Sequence, residues 1–436
     1  ISTGTGVVVA VIDTGYRPHA DLSGQFLPGY DFISTAAIGN DGNGRDSDAT
    51  DPGDGVTAGA CGGGQPFSDQ PSSWHGTHVA GTVAARTNNG AGVAGVAYNA
   101  KILPVRALGK CGGYTSDIAD AITWASGGVV AGVPANPNKA RVLNLSLGGG
   151  GACSATMQNA VNGARSRGAV VVAAAGNSAM DVSNASPANC TGVIAVAATG
   201  RTGGRARYSN FGAQVTVAAP GGDGAAGVLS TLNSGRSGPL ADTYAAYQGT
   251  SMAAPHVAGV AALMFAANTN LTPDEIATRL KSTARAFPAS CTGCGTGIVD
   301  AAAAAAWART SAAPVVVAES EANNTIATAD SVAPVNASVT GNLGTTTDTD
   351  YFRVDLPAGK TLKASLSAVL ATANYDLQLY NSAGKQLSAS VNRAGVADTA
   401  TFANTSTSTA VLYLRVVYAS GGTGTSNGRY ALAVTR

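Results

Sequence analysis

Along the first part of the chain, apolar residues fall in short unbroken runs at 7–12, 142–147, 169–174, 193–197 and 215–218. Runs of that length without alternation mark strands covered on both faces. Between them lie stretches with helical spacing, at 75–85, 116–126, 155–167 and 251–266. Thr272-Pro273-Asp274-Glu275 opens a further helix with a capping signal, and the alanine run 301–306 is helical on propensity. Strands alternating with helices predict an α/β fold, a doubly wound parallel sheet with helices on both faces. Sites in such sheets lie at the carboxyl ends of the strands.

After Trp307 the pattern changes. Residues 309–318 read as a linker. From 319 to 436 apolar and polar positions alternate, at 351–356, 361–366, 375–380, 411–418 and 429–435. Turn signals such as Pro357-Ala358-Gly359 separate them, which predicts a second, all-β sandwich domain. The expected domains are therefore 1–308 and 319–436.

Composition narrows the field of functions. The chain has 436 residues, of which only 12% are charged, against an ordinary share of about 25%. A net charge of +1 leaves no basic field for nucleic acid or an anionic membrane surface. No stretch approaches the roughly 18 uninterrupted apolar residues of a membrane span, so a soluble protein is expected. Nothing resembling a leader precedes Ile1, which predicts a processed or trimmed form. Six cysteines, an even number, favour an exported protein with disulfides. Cys291 and Cys294 have the spacing of half a zinc site or a redox pair, but no second Cys or His pair follows. Connectivity stays open at this level.

Candidate chemistry sits in four segments. Residues 7–12 lead into Asp13-Thr14-Gly15, which puts a carboxylate at a strand's carboxyl end. Small residues surround His75 in Ser73-Trp74-His75-Gly76-Thr77-His78 at a helix start. Ser251, in Gly249-Thr250-Ser251-Met252-Ala253-Ala254-Pro255-His256, lies at a helix N-terminus, where the dipole is positive and Pro255 is tolerable in the first turn. Asn177 ends the strand Ala173-Ala174-Ala175-Gly176 with a side-chain amide. A hydroxyl becomes a nucleophile when a base takes its proton, and a carboxylate must fix that base's tautomer. One of each is present, in the order Asp, His, Ser, and the amide suits a developing oxyanion. His75 and His78 lack the four-residue spacing and the Glu of a helical zinc motif. His78 and His256 are expected to be structural, and His19 to shape a surface turn.

These four segments resemble those of the subtilisin-like serine peptidases, the subtilases. The resemblance implies that Asp13 orients the base and His75 acts as general base and then general acid. It assigns the attack to Ser251, with Asn177 and the Ser251 amide as oxyanion hole. It implies that substrate binds as an added strand between Gly112-Gly113 and Ser146-Leu147-Gly148. Ala174, Ala175 and Gly176 would wall the main specificity pocket, with Ala185 near its base. A small neutral base predicts preference for large uncharged side chains before the cut. The competing class is a catalytically silent binding protein on the same scaffold, and a metallopeptidase lacks a ligand set.

Residues 41–54 hold five aspartates, and Asp46, Asp48, Asp51 and Asp54 predict a calcium site against the alternative of a solvated acidic loop. The loop departs from an EF-hand, because Arg45 and Pro52 occupy ligand positions. The resemblance implies another calcium site, from Asp21, Asn88 or Asn89, and carbonyls near Arg86, Ala91 and Val93. It also implies the disulfides Cys61–Cys111, Cys153–Cys190 and Cys291–Cys294, secretion, protein and peptide substrates, a monomer and a pro-segment aiding folding. The tail resembles the bacterial pre-peptidase C-terminal domain in Glu321-Ala322-Asn323-Asn324, Asp348-Thr349-Asp350-Tyr351-Phe352, Leu356-Pro357-Ala358-Gly359 and Asp376-Leu377-Gln378-Leu379-Tyr380. Such a domain serves as a spacer or secretion aid, or binds insoluble protein or carbohydrate.

Overall fold

The computed structural model describes residues 2–310, 314–333 and 336–436. Ile1, which prompted the expectation of a trimmed chain, and linker residues 311–313 lie outside the described residues. The chain divides into two compact units, Ile1–Ala308 and Arg309–Arg436.

The strands of the first unit are β1 (Val8–Asp13), β2 (Tyr30–Asp31), β3 (Lys101–Arg106), β4 (Val142–Leu145), β5 (Gly149–Gly150), β6 (Val170–Ala174), β7 (Ala185–Ser186), β8 (Ile194–Thr199), β9 (Val215–Pro220), β10 (Val228–Asn233) and β11 (Asp242–Tyr247). Its helices are α1 (Ala36–Gly39), α2 (His75–Ala84), α3 (Thr115–Ala125), α4 (Ala155–Ser166), α5 (Thr250–Ala267), α6 (Pro273–Thr283) and α7 (Ala301–Thr310). Seven strands form one parallel sheet in the order β2-β3-β1-β4-β6-β8-β9. The order reverses between β1 and β4, and this switch point opens a crevice at their carboxyl ends.

Strands β1, β3, β4, β6, β8 and β9 each serve two cores. On β1, Val9 and Val11 join Val79 and Val83 of α2 and Val257 of α5, while Ala10 and Ile12 join Ile118 and Ile122 of α3 and Val161 of α4. Alternate residues face opposite sides, and both sides are dry, so the strands read as continuous apolar runs. β3 escaped that reading because Pro104 interrupts it. Ile102 and Arg106 bond outward to residues 25–32, so Pro104 shares their outward side. There the neighbouring segment breaks between Phe26 and Tyr30, and no ladder bond needs its missing N–H.

α5 is long and apolar enough to pass for a membrane span. Polar Thr250, Ser251 and His256 interrupt it, so it is no uninterrupted apolar run and passes on average hydropathy alone. The helix is 78% buried and forms the centre of the first core.

Arg309 and Thr310, expected in the linker, close α7, and 315–318 form a strand. The second unit holds β12 (Val315–Ala318), β13 (Asp330–Ser331), β14 (Asn336–Asn342), β15 (Thr349–Leu356), β16 (Thr361–Ala368), β17 (Asn374–Asn381), β18 (Gln386–Ser390), β19 (Asp398–Ala403), β20 (Ala410–Ser420) and β21 (Arg429–Thr435). They form two five-stranded sheets, β12-β14-β21-β16-β19 and β13-β15-β20-β17-β18. Phe352, Val354 and Leu356 of β15 point inward with Leu412, Leu414 and Val416 of β20. The alternation of the sequence is the alternation of the pleat.

Candidate active site

β1 ends in Asp13, which is fully buried. Its Oδ1 lies 2.7 Å from His75 Nδ1 and accepts the Thr14 N–H at 2.8 Å. His75 is the first residue of α2. The turn into that helix is made by Trp74, held at φ 49, buried, and anchored by Nε1 donating to the Gly235 carbonyl at 2.7 Å. Gly76 is required beside it, because a Cβ there would lie 2.1 Å from the Gly15 carbonyl oxygen. The glycine lets the helix start press against the turn that carries Asp13.

Ser251 lies in the first turn of α5, where N–H groups have no intrahelical partner. Its Oγ donates to the Ser146 carbonyl at 3.1 Å. In this state the hydroxyl is paired with Ser146 rather than with His75. Asn177 Oδ1 accepts from Thr250 N at 2.9 Å and Thr250 Oγ1 at 2.8 Å. Those bonds leave Nδ2 as the free, donating end of the amide.

The loop bearing Asn177 is organised by Asn210, which sequence reasoning missed. Its Oδ1 accepts from Ser178 N and Met180 N, and its Nδ2 donates to the Ala175 carbonyl. Asn210 is 2% exposed, and only its place in the fold reveals it.

His75, Ser251 and Asn177 open into one cleft of about 670 Å³. Gly112, Ser146, Leu147, Gly148, Ala174, Ala175, Gly176 and Ala185 all line it. Met180 lines it too, without having been singled out. Gly113, expected on the cleft edge, is not part of its lining. It packs instead on the Ala107 backbone, where a Cβ would sit 2.2 Å from the carbonyl oxygen. β5 and β7 pair antiparallel beside the cleft, Gly149 with Ser186 and Gly150 with Ala185. Cysteines pair 61 with 111, 153 with 190 and 291 with 294, the pairing the resemblance implied.

Among the described residues, the carboxylates of the acidic loop form no group of three with oxygens within 4.8 Å of one another. Asp46, Asp48 and Asp51 each fold back to accept a backbone N–H two residues on, from Asp48, Thr50 and Gly53. Each is a turn in which an Asp side chain bonds its own backbone. Asp51 Oδ2 accepts from Thr14 Oγ1, and Thr14 Oγ1 accepts the Gly76 N–H. Asp54 accepts from Ser73 N and Oγ, both at 2.6 Å. Arg45, in what would be a ligand position, pairs with Asp117 and Asp120. Asp46, Asp48, Asp51 and Asp54, expected to hold calcium together, take these separate hydrogen-bond partners, and Asp51 and Asp54 brace the start of α2.

They also act on His75. Burial lowers its basicity, but the charge and hydrogen bond of Asp13, helped by Asp54 and Asp51, outweigh burial and raise its pKa above the ordinary 6.5. A base works only when neutral, so the acid limb of kcat/KM is expected above pH 6.5. Asp54→Asn should move that limb down, and a pH–rate profile that stays in place would remove Asp54 from the site's electrostatics.

The other histidines do not line the cleft. Burial lowers His78 to about 4, and its Nε2 bonds the Val228 and Ala245 carbonyls across β10 and β11. His256 Nδ1 bonds Met252 O at 2.8 Å. His19 is not a surface residue: it is 5% exposed, with Nδ1 accepting from Asp21 N and Nε2 beside the Thr243 carbonyl.

Asp21 is fully buried and turns to the 86–94 loop. Its carboxylate accepts from Asn89 Nδ2 at 2.6 Å and Val93 N at 2.8 Å, and its carbonyl accepts the Arg86 N–H. Ala91 N reaches Asn89 Oδ1 at 3.3 Å, so these residues lie near Asp21 through their N–H groups. The second unit holds a group the sequence reading did not single out. Glu319, Glu321 and Asp350 offer oxygens within 4.8 Å of one another, the one such group of three acidic, His or Cys residues among the described residues. Tyr430 donates to Glu319 and Asp350, while buried Asp350 Oδ1 has no partner. Burial, with the charges of Glu319, Asp348 and Glu321, pushes Asp350 up to about 8.

Residues 4–304 match the model of the Subtilase family. The "Extracellular protease" of Xanthomonas campestris pv. campestris is 63% identical over 305 residues, 70% of this chain and 52% of that protein. The "Extracellular basic protease" of Dichelobacter nodosus is 51% identical over 309 residues, 69% of this chain and 51% of that protein. The chain thus spans about half the length of these curated relatives. A solved protease structure from Pseudoalteromonas arctica is similar at a TM-score of 0.69 and 66% identity, covering 70% of this chain and 91% of that one.

Proposed function

The chain belongs to the subtilase family, and from that premise we propose that it is a secreted serine endopeptidase. The observation that carries the reading is the Asp13–His75 bond opening onto the same cleft as Ser251 and Asn177. Asp13 accepts from His75 Nδ1 and so leaves Nε2 free to take a proton. The Ser251 hydroxyl turns from the Ser146 carbonyl to His75 and attacks the scissile carbonyl. The C–N bond breaks as His75 returns the proton to the leaving amine, and water, activated by the same imidazole, hydrolyses the acyl-enzyme. Asn177 Nδ2 and the Ser251 N–H stabilise the oxyanion, each worth about 10²–10³ in turnover.

The substrate is an extended polypeptide paired along Gly112 and residues 146–148, with its side chain before the cut directed at Ala174, Ala175, Gly176 and Ala185. No charged side chain belongs to that wall, so large uncharged residues are preferred. The enzyme acts as a monomer, without nucleic acid or membrane, after a pro-segment has aided its folding. The second unit, a pre-peptidase C-terminal domain over 319–436, serves as a spacer. The test is hydrolysis of casein and of a peptide panel, with and without a serine-directed covalent inhibitor. Inhibited hydrolysis with Leu or Phe cleaved at least about tenfold faster than Lys supports the reading. Equal cleavage after Lys and Leu removes the pocket assignment, and no hydrolysis by folded protein favours the silent scaffold.

Subtilases generally bind calcium, and two sets of oxygens here suit a hard cation. Asp21 and Asn89, with the carbonyls of Arg86, Ala91 and Val93, would hold one ion. They suit it because the buried Asp21 carboxylate has only neutral partners. Glu319, Glu321 and Asp350 would hold another, where the orphaned Asp350 oxygen has no other use. The ion's contribution is structural: it neutralises crowded carboxylates and fixes the segments that carry them. Calorimetry of the full chain should show a lower melting temperature in chelator, restored by calcium. An unchanged melting curve would end both assignments.

A further inference from the structure

We propose that the Ser146 hydroxyl is a positioning residue for the nucleophile, and that Pro255 is what makes its contact available. This rests on the serine-peptidase reading. Pro255 lies within α5, beyond the first turn that the sequence suggested. Proline has no N–H, so the carbonyl four residues earlier loses its helical donor, and the ring pushes that carbonyl aside. That carbonyl belongs to Ser251. The Ser146 hydroxyl takes the donor's place, donating to Ser251 O at 2.7 Å.

The reverse contact also exists, because Ser251 Oγ donates to the Ser146 carbonyl. The nucleophile is therefore tied to one residue through both its backbone and its side chain. Ser146 is itself fixed. Asn144 Nδ2 donates to its Oγ at 2.9 Å, which leaves the hydroxyl proton directed at Ser251. Asn144 is fully buried on β4, paired with Val11 of β1 and Val172 of β6. The relay thus runs from the centre of the sheet, beside the strand that carries Asp13, to the backbone of Ser251.

The physical need is plain. The first turn of a helix is the part its own hydrogen bonds hold least. A displacement of about 1 Å between reacting groups can cost about 10²-fold in rate. The missing N–H at Pro255 exchanges one internal bond for one that registers α5 against β4. The Asp13–His75 pair and Ser251 then share a single rigid reference.

The experiment uses the full chain with Ser146→Ala, Ser146→Thr and Pro255→Ala. The main readout is the second-order rate of Ser251 labelling by a small sulfonyl fluoride, which reports the nucleophile without the substrate's backbone pairing. It is joined by kcat, KM and Tm. Ser146→Ala should slow labelling and kcat together by about 10- to 100-fold, with KM within about threefold. Ser146→Thr, which keeps the hydroxyl, should recover most of both. Pro255→Ala returns a competing helical donor to Ser251 O, so it should slow labelling several-fold while Tm stays or rises.

Labelling of Ser146→Ala within about twofold of wild type would overturn the proposal. So would equal slowing in the Ala and Thr variants, which points to packing instead of the hydroxyl. If Ser146→Ala does not fold, unchanged labelling in Pro255→Ala overturns it alone. A wild-type protein unlabelled at Ser251 sinks the peptidase reading itself, an outcome distinct from these.

Discussion

Ser251→Ala should abolish peptide hydrolysis, with a fall in kcat of roughly 10⁶-fold, the figure known for removing the nucleophile from subtilisin. The protein should remain folded. Ser251 is only half-buried, and the substitution removes one hydroxyl whose bond is to the Ser146 carbonyl. Ser146, to which that carbonyl belongs, lines the open cleft. Binding should survive as well, since the cleft wall is built largely from backbone and small side chains. A competitive peptide inhibitor should therefore bind the variant about as well as the wild type. Turnover persisting within about tenfold of wild type would mean that another group, or another protein in the sample, cuts the substrate.

The second large effect is expected from Asp13→Asn, a loss of about 10⁴-fold in kcat with the fold intact. Asp13 Oδ1 faces His75 Nδ1 at 2.7 Å while also accepting the Thr14 N–H. The amide carries no negative charge to stabilise the imidazolium, and where its NH₂ faces the ring Nδ1 must accept and Nε2 must carry the proton. An imidazole in that tautomer cannot take the Ser251 proton. Loss of the carboxylate also removes the main charge raising His75, so the acid limb of the residual activity should move to lower pH. A variant with full activity would remove Asp13 from the reaction. One with lost activity and lost folding would be explained by its buried position instead, and calorimetry separates the two.

Much of this was legible in the chain itself. The two-faced strands announced themselves, because a strand covered by helices on both sides has no polar face to show. Ala10 and Ile12 could be read as buried, though not that they face α3 and α4 while Val9 and Val11 face α2 and α5. β10 and β11 were not foreseen. Their residues are only partly buried in places and lack the unbroken apolar run that marked the others. The alternation in β15 was visible, yet Asp350 shares the inward side with Phe352 and Val354, which makes a buried carboxylate out of an acidic turn motif.

The chain alone sets the kinds of group available: a carboxylate at a strand end, an imidazole at one helix start, a hydroxyl at another, an amide after a further strand. Those are local facts, set by propensity, caps and small residues close in the chain. Which groups meet was decided by the tertiary structure, because the strand order places β1 beside β4 although many residues separate them. The same holds for the acidic loop. Its spacing suggested one metal site, but the folded chain assigns Asp51 to Thr14 and Asp54 to Ser73, where they brace His75. A carboxylate's partner is whatever donor the fold brings to it, and a spacing of aspartates cannot specify that donor. Asn210 and Ser146 show the same limit, since each acts through a backbone group far along the chain.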